Sequence, residues 1–302
     1  MAEARPVVIV VGDAGMDVLA KHDAPIAPGD DRRASVRIEL GGAAANTAAW
    51  LAHAGAAPVL VGRVGDDPTG RQVRAELTDA GVRCALAIDQ DAHTCCVVVL
   101  VDEFGQRSML PDRGASARLR PEDLTPDLLR EARHLHLSGY VLLDERSAAT
   151  GVAMLRAARA AGLRTSVDPQ SAALLTDRAA FLDAVRGVDL LLPNTAELAA
   201  LTGSTDPASA TELLDVVGAV AVTSGDAGAD WVDRTGRYTV AALPAECVDS
   251  TGAGDAFDAA LLAAWLTGAD PLDALRAGVA AGARVVARLG AHPAPDQPSI
   301  TG

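Results

Sequence analysis

The sequence predicts an α/β fold: a doubly wound, mostly parallel sheet with helices on both faces, plus a small β lid. Three observations carry that expectation. Short β-branched runs alternate with Ala-rich or Leu-rich stretches of helical length, the alternation resumes after the middle of the chain, and two stretches interrupt it. Strands spaced by helices of this length call for right-handed βαβ units and a sheet covered on both faces.

In chain order, the first strand is Val7 to Val11, an apolar run closed by Gly12 and Asp13 and too short for a signal-peptide core. A helix over Ala43 to His53, a strand over Val59 to Val61 and a helix over Gly70 to Ala80 follow. His22 to Leu40 shows no helical pattern, whereas Thr94 to Val101 and Gln106 to Leu110 read as two strands around the turn Asp102 to Gly105. These insertions, about 22–40 and 94–110, are expected to pair as a lid over the ends of the core strands, where open α/β sheets bind ligands. A surface hairpin without a role is the plainer alternative. The alternation then resumes with His134 to Leu137, Ser147 to Ala161, Arg164 to Val167, Leu190 to Leu192, Ala196 to Leu201 and Val220 to Thr223. One domain over residues 1–291 is expected, with a flexible tail over 292–302, HPAPDQPSITG.

Composition excludes several classes of function. The 302 residues are 49% hydrophobic, enough for a substantial core, and hold no apolar run that would span a membrane. A net charge of −14 argues against nucleic-acid and acidic-membrane partners, which need clustered positive charge. An anionic substrate must therefore be met locally. Cys84, Cys95, Cys96 and Cys247 lack CxxC spacing and read as reduced thiols of a cytoplasmic protein. His134 and His136 share one face of a strand, yet no third ligand of suitable spacing accompanies them, so structural roles are expected.

The most informative stretch is DSTGAGDAF, Asp249 to Phe257, ahead of the helical run Ala259 to Leu266. As a helix N-terminus it aims the free amides of Ala253, Gly254 and Asp255 at one point, together with the positive end of the helix dipole. An anion fits there, and Gly252 and Gly254 let it approach the backbone. Asp255 beside an anion hole is unfavourable unless it acts on a neighbouring group, and taking a proton from an attacking hydroxyl is such a task. Simple helix capping by Thr251 or Asp255 is the alternative. A dinucleotide fingerprint fails because Phe257 occupies the third glycine position, and no GxxxxGK[ST] string occurs; the single lysine is Lys21.

From about Val7 to Ala291 the chain resembles the ribokinase-like (PfkB) carbohydrate kinases. The resemblance rests on ordered motifs: GDAGMD at Gly12 to Asp17, GGAAANTA at Gly41 to Ala48, GRVGDDPTG at Gly62 to Gly70, PNTAELAALTG at Pro193 to Gly203, TSGDAG at Thr223 to Gly228, and DSTGAGDAF. It implies a ribokinase-like fold and ATP-dependent, Mg²⁺-dependent phosphorylation of a hydroxyl on a small sugar, a pentose or hexose. Asp255 is then the catalytic base, with Gly252, Ala253 and Gly254 as the anion hole, while Asp13, Asp17, Gly41, Gly42 and Asn46 hold the sugar. Asn194 and Glu197 match the element that organises Mg²⁺ through water. Thr223, Gly225 and Gly228 border the nucleotide, Val279, Gly282 and Gly290 enclose adenine, and Asp249 and Thr251 match ligands of a monovalent cation such as K⁺. Lid insertions in this family sometimes pair across a homodimer.

Departures from the family pattern bear on the substrate. DPQSA, Asp168 to Ala172, lacks the arginine that many fructokinase-like and 2-keto-3-deoxygluconate kinase-like members carry, which disfavours an acidic sugar. Arg107 and Arg113, beside the expected lid, either supply charge or solvate the surface. Asp258 stands where the family has a small or neutral residue and is read as solvent-facing. A nucleoside kinase of the same family is the alternative, disfavoured by a chain of three tryptophans, two tyrosines and three phenylalanines, since a base needs an aromatic or apolar wall. A 2-keto-3-deoxygluconate kinase or a non-catalytic nucleotide-binding regulator ranks below it.

Overall fold

Val7–Val11 forms β1, and its alternate side chains divide the hydrophobic interior: Val8 and Val10 join one buried cluster, Ile9 and Val11 the other. A strand apolar on both faces belongs at the centre of a sheet covered on both sides. The computed structural model describes residues 5–24, 26, 28–29, 31–103, 107–288 and 290–293. Within them, β1 pairs in parallel with β4 (Ala57–Gly65) and with β8 (His134–Ser138). Beyond β4 lies β5 (Arg83–Asp89); beyond β8 come β9 (Arg164–Asp168), β10 (Leu190–Leu191) and β11 (Ala219–Thr223), all parallel. An antiparallel hairpin, β12 (Ala229–Asp233) and β13 (Gly236–Val240), completes one edge of the nine-stranded sheet.

Helices cover both faces. On the Val8 and Val10 face sit α1 (Ala43–His53), α2 (Pro68–Asp79), α8 (Ala253–Leu266) and α9 (Pro271–Val286), with Trp50, Leu51, Leu77, Leu261 and Leu275 buried among them. The opposite face carries α5 (Ala148–Ala160), α6 (Arg178–Ala184) and α7 (Thr195–Thr202), which contribute Met154, Leu155, Phe181 and Leu198. The short helices α3 (Pro126–Glu131) and α4 (Tyr140–Leu143) flank β8. Among the described residues no helix is long and apolar enough to cross a membrane.

A second sheet has the order β3, β2, β6, β7: Ala34–Gly41, Gly15–His22, Cys95–Val101 and Arg107–Asp112. Both interrupted stretches therefore contribute strands. The sheet also takes in Gly15–His22, which the sequence offered only as part of a motif. Residues 104 and 105 of the expected turn lie outside the described residues. So do residues 294–302 of the expected tail; His292 is described, and its Nε2 lies 2.9 Å from the Leu40 carbonyl.

Candidate active site

The carboxyl ends of β1, β8, β9 and β11 open toward one edge of the large sheet, where ligands of open α/β sheets bind. The N-terminus of α8 points there. Gly252 caps it at φ 74, and a Cβ at that position would stand 2.7 Å from the Ala291 carbonyl oxygen, so only glycine makes this turn. The Ala253 amide donates to Ser250 O at 3.3 Å, whereas those of Gly254 and Asp255 have no acceptor among the described residues. A Cβ on Gly254 would meet nothing within 4 Å, leaving the approach to these amides clear.

Asp255, in the first turn of α8, is 8% exposed. Asn46 Nδ2 donates to its Oδ2 at 2.9 Å and Thr47 Oγ1 to its Oδ1 at 3.2 Å, both from α1. Burial pushes its carboxyl up to about 6, against the lowering effect of those donors. The motif residues Gly41 and Gly42 lead into α1. Gly42 caps it at φ 96, where a Cβ would come within 2.8 Å of the Asp13 carbonyl carbon. Asn46 Oδ1 is buried without a partner, an acceptor left for a donor brought by a ligand.

On the side of the second sheet, Asp17 of β2 lies beside Glu39 of β3, its register partner. Burial, then the Glu39 and Asp255 charges, pushes Asp17 up to about 7. Asp13, just past β1, meets Arg113: Nε reaches Oδ2 at 2.9 Å and Nη2 reaches Oδ1 at 2.6 Å. The same guanidinium touches Asp144 at 2.9 Å and Ser147 Oγ at 3.2 Å. Arg113 is thus a buried clamp rather than a solvated surface residue; burial works against its charge, and the two carboxylates of Asp13 and Asp144 outweigh that and keep it ionised. The Arg107 side chain lies outside the described residues. Tyr140, at the start of α4, is pushed up to about 12 by burial and by the charges of Asp168, Asp255, Asp13 and Glu197; no motif in the chain singles it out.

Across α8 from Asp17 lies a cleft of about 660 Å³, lined by Thr223, Gly225, Gly228, Val279 and Gly282 with Phe257 at its wall. Gly290 does not line it; its amide donates to Asp249 Oδ2 at 3.2 Å, and it borders a small recess with Asp17, Glu39 and Thr251. Asp249 Oδ1 accepts from the amide and hydroxyl of Thr251 at 2.8 and 2.7 Å. Its carboxylate thereby shapes the turn into α8.

Between these regions is a cavity of about 200 Å³ whose lining includes Asp168, Gln170, Asn194, Glu197, Asp255 and Asp258. Asn194 and Glu197 form a capping box on α7, each donating a backbone amide to the other's side chain at 2.9 Å. Burial nonetheless raises the Glu197 carboxyl. Gln170, at φ 71, fixes Asp168 with its amide at 2.9 Å and its Nε2 at 2.6 Å. Asp258 is 2% exposed, which corrects the solvent-facing expectation: three residues after Asp255 on a helix, it shares the face turned to the cavity. Burial pushes both Asp168 and Asp258 well above the ordinary carboxylate range.

Comparison with known proteins bears on the family and the fold. The chain is 34% identical over 295 residues to an ATP-dependent ribose-1-phosphate kinase of Halopiger xanaduensis, covering 97% of this chain and 96% of that protein. It is 35% identical over 265 residues to a fructokinase of Klebsiella pneumoniae, covering 84% and 82%. The crystal structure of adenosine kinase from Sinorhizobium meliloti superposes with a TM-score of 0.87 at 25% identity, covering 98% of each chain. The family model for pfkB family carbohydrate kinases matches residues 6–297. With a fold shared over its whole length and an aspartate set in the amide-lined N-terminus of α8, the chain belongs to the pfkB family of carbohydrate kinases.

Proposed function

We propose that the protein transfers the γ-phosphoryl group of ATP to a hydroxyl of a small neutral sugar, with Asp255 as the base. The observation that carries this reading is the placement of one buried carboxylate at a helix N-terminus, between a nucleotide-sized cleft and a polar recess under the second sheet. Nucleoside and phosphates lie along the cleft, with the transferred group at the amides of Gly254 and Asp255. The sugar lies between Asp13, Asp17, Gly41, Gly42 and Asn46. Its acceptor hydroxyl gives its proton to Asp255 as the oxygen bonds to phosphorus, and ADP departs. A carboxyl near 6 is ionised at neutral pH and still basic enough to accept. Asn46 and Thr47 hold it in one orientation.

The oxygen-rich wall of Asn194 and Glu197 fits a hydrated Mg²⁺, which neutralises phosphate charge when bound. The resemblance puts a monovalent cation at Asp249 and Thr251, and a K⁺ titration of the initial rate tests it. The second sheet acts as a lid, and its outer face joins two copies in a homodimer. Four unpaired cysteines and an ATP-fed reaction suit the cytoplasm.

A neutral pentose or hexose is favoured because Arg113 is committed to Asp13 and Asp144, while Asp17, Glu39 and Asp255 repel an anion. Likeness to the ribose-1-phosphate kinase sustains a second reading, a phosphorylated pentose. ADP release measured with ribose, fructose, ribose 1-phosphate and adenosine separates them. Asp255→Asn should cut kcat by ~10² to 10⁴-fold while calorimetric ATP affinity holds or improves. Near-normal turnover in that variant would reduce Asp255 to a helix cap.

A further inference from the structure

Residues 290–292, which follow α9, touch three elements that carry the proposed site, and Ala291 at their middle is 6% exposed. On the sugar side, His292 Nε2 lies 2.9 Å from the carbonyl of Leu40, the β3 residue that leads into Gly41 and Gly42. A carbonyl only accepts, so Nε2 carries the hydrogen and donates it. From α1, Trp50 Nε1 donates to the Ala291 carbonyl at 2.7 Å, one turn beyond the Asn46 and Thr47 that hold Asp255. On the phosphate side, the Gly290 amide donates to Asp249 Oδ2 at 3.2 Å, and Gly252 backs onto Ala291 so closely that a Cβ would stand 2.8 Å from its Cα. Arg288 braces the segment: its guanidinium lies 5.2 Å from the centroid of the Trp50 ring and donates to the His292 carbonyl.

His292 Nδ1 is buried without a partner among the described residues, a cost that an apolar side chain of similar volume would avoid. What the imidazole adds is its bond to Leu40. We propose that His292 is a positioning residue for phosphoryl transfer, tying the β3 to α1 junction that holds the sugar to the Gly252 turn that presents amides to the phosphoryl group. This role rests on the phosphoryl-transfer reading above. Asn46 and Thr47 already join α1 to Asp255 itself, whereas the turn ahead of Asp255 is backed by Ala291. The bond from His292 gives the two sides a second tie, so that acceptor hydroxyl and phosphorus keep one separation. Alignment of that kind speeds the chemical step without tightening either substrate.

Full-length wild type, His292→Leu and His292→Gln are compared in two measurements. Hydrogen exchange in the ligand-free protein reads the tie: the Ala45 and Asn46 amides, bonded to the carbonyls of Asp13 and Gly42, report the sugar side, and the Ala256 amide, bonded to that of Gly252, reports the other. His292→Leu should speed all three about fivefold to tenfold, as the loss of one buried hydrogen bond implies, and leave the Leu192 amide, bonded to the Val167 carbonyl, unchanged. Steady-state kinetics with the sugar that best releases ADP read the consequence. In His292→Leu, kcat should fall about tenfold while KM for sugar and for ATP stay within about threefold of wild type. Glutamine, whose Nε2 can take the place of the imidazole Nε2, should restore exchange and kcat to within about threefold. Where leucine prevents folding, His292→Asn, whose amide stops short of Leu40, takes its place. Wild-type exchange at either turn in the leucine variant overturns the proposal, as does a glutamine variant no better than the leucine one. Faster exchange beside unchanged kcat overturns it too, leaving a structural tie only. A wild type that releases no ADP with any sugar refutes the kinase reading and this role with it, whereas an active wild type beside an equally active leucine variant refutes the role alone.

Discussion

Asp17 faces two opposed demands: the proposed role of an ionised acceptor for sugar hydroxyls, and a half-buried place beside the charges of Glu39 and Asp255. Its folded value of about 7 lies above the ordinary carboxylate value near 4. The sign follows from linkage: the stability its proton contributes is present in full below about 4 and is lost as pH rises through about 7. Asp17→Asn cannot ionise, so it should match the wild type below about pH 4 and exceed it by up to ~4 kcal/mol at pH 8. Sugar KM should rise about tenfold as a charge-assisted acceptor is lost, with ATP KM little changed. Thermal unfolding at pH 5 and pH 8 checks the first part, and a pH-independent difference would refute it. Asp17 was legible in its motif, as were Asn46 and Asp255. Their partners were not: Thr47 reaches Asp255 across 208 positions and Arg113 reaches Asp13 across 100, distances over which no sequence pattern operates.

At the scale of elements, strands that alternate apolar runs with helices could be read directly, because burial on both faces leaves an unbroken run such as Val7–Val11. The hairpin of β12 and β13 escaped that reading since β13, GRYTV, is largely exposed and carries no apolar run. Helix α9 escaped because Gly278 and Gly282 interrupt its pattern; a Cβ on Gly278 would stand 2.7 Å from the Phe257 ring, so packing requires the gap. Arg113 joins elements in a way that carries its own prediction. It follows the last strand of the second sheet and grips both the end of β1 at Asp13 and the segment after α4 at Asp144. Removing one member of a buried ionic network strands the rest, at a cost of ~3 kcal/mol. Arg113→Met should therefore lower stability by about that amount and raise sugar KM at least tenfold. Lysine should restore little, lacking the planar fork that meets both Asp13 oxygens. Unchanged sugar KM in a folded Arg113→Met protein would show that the clamp serves stability alone.

Across the whole molecule, charge and apolar surface pull in opposite directions on self-association. Strand register in the second sheet aligns Ile38, Val18, Val98 and Leu110 in one row and Val36, Ala20 and Leu100 in the next, all on one face. Val36, Ile38 and Leu110 are 57%, 65% and 59% exposed, while Asp17 projects from the opposite face toward Asp255. An apolar face on a sheet with two open edge strands suits a second copy meeting it face to face, as the proposed homodimer requires. Each copy carries −14, so association should strengthen with salt as the like charges are screened, the opposite of a dimer held by ion pairs. Sedimentation equilibrium is expected to show a dimer at about 10 µM that tightens between 0.05 and 0.5 M salt. Ile38→Asp combined with Leu110→Asp should give a monomer, because two charges on each copy would have to be buried unpaired. That variant leaves Asp255 and the α8 amides untouched and should still bind ATP. A wild type that stays monomeric at every salt concentration, or a double variant that dimerises as well as the wild type, would remove the outer lid face as the joining surface.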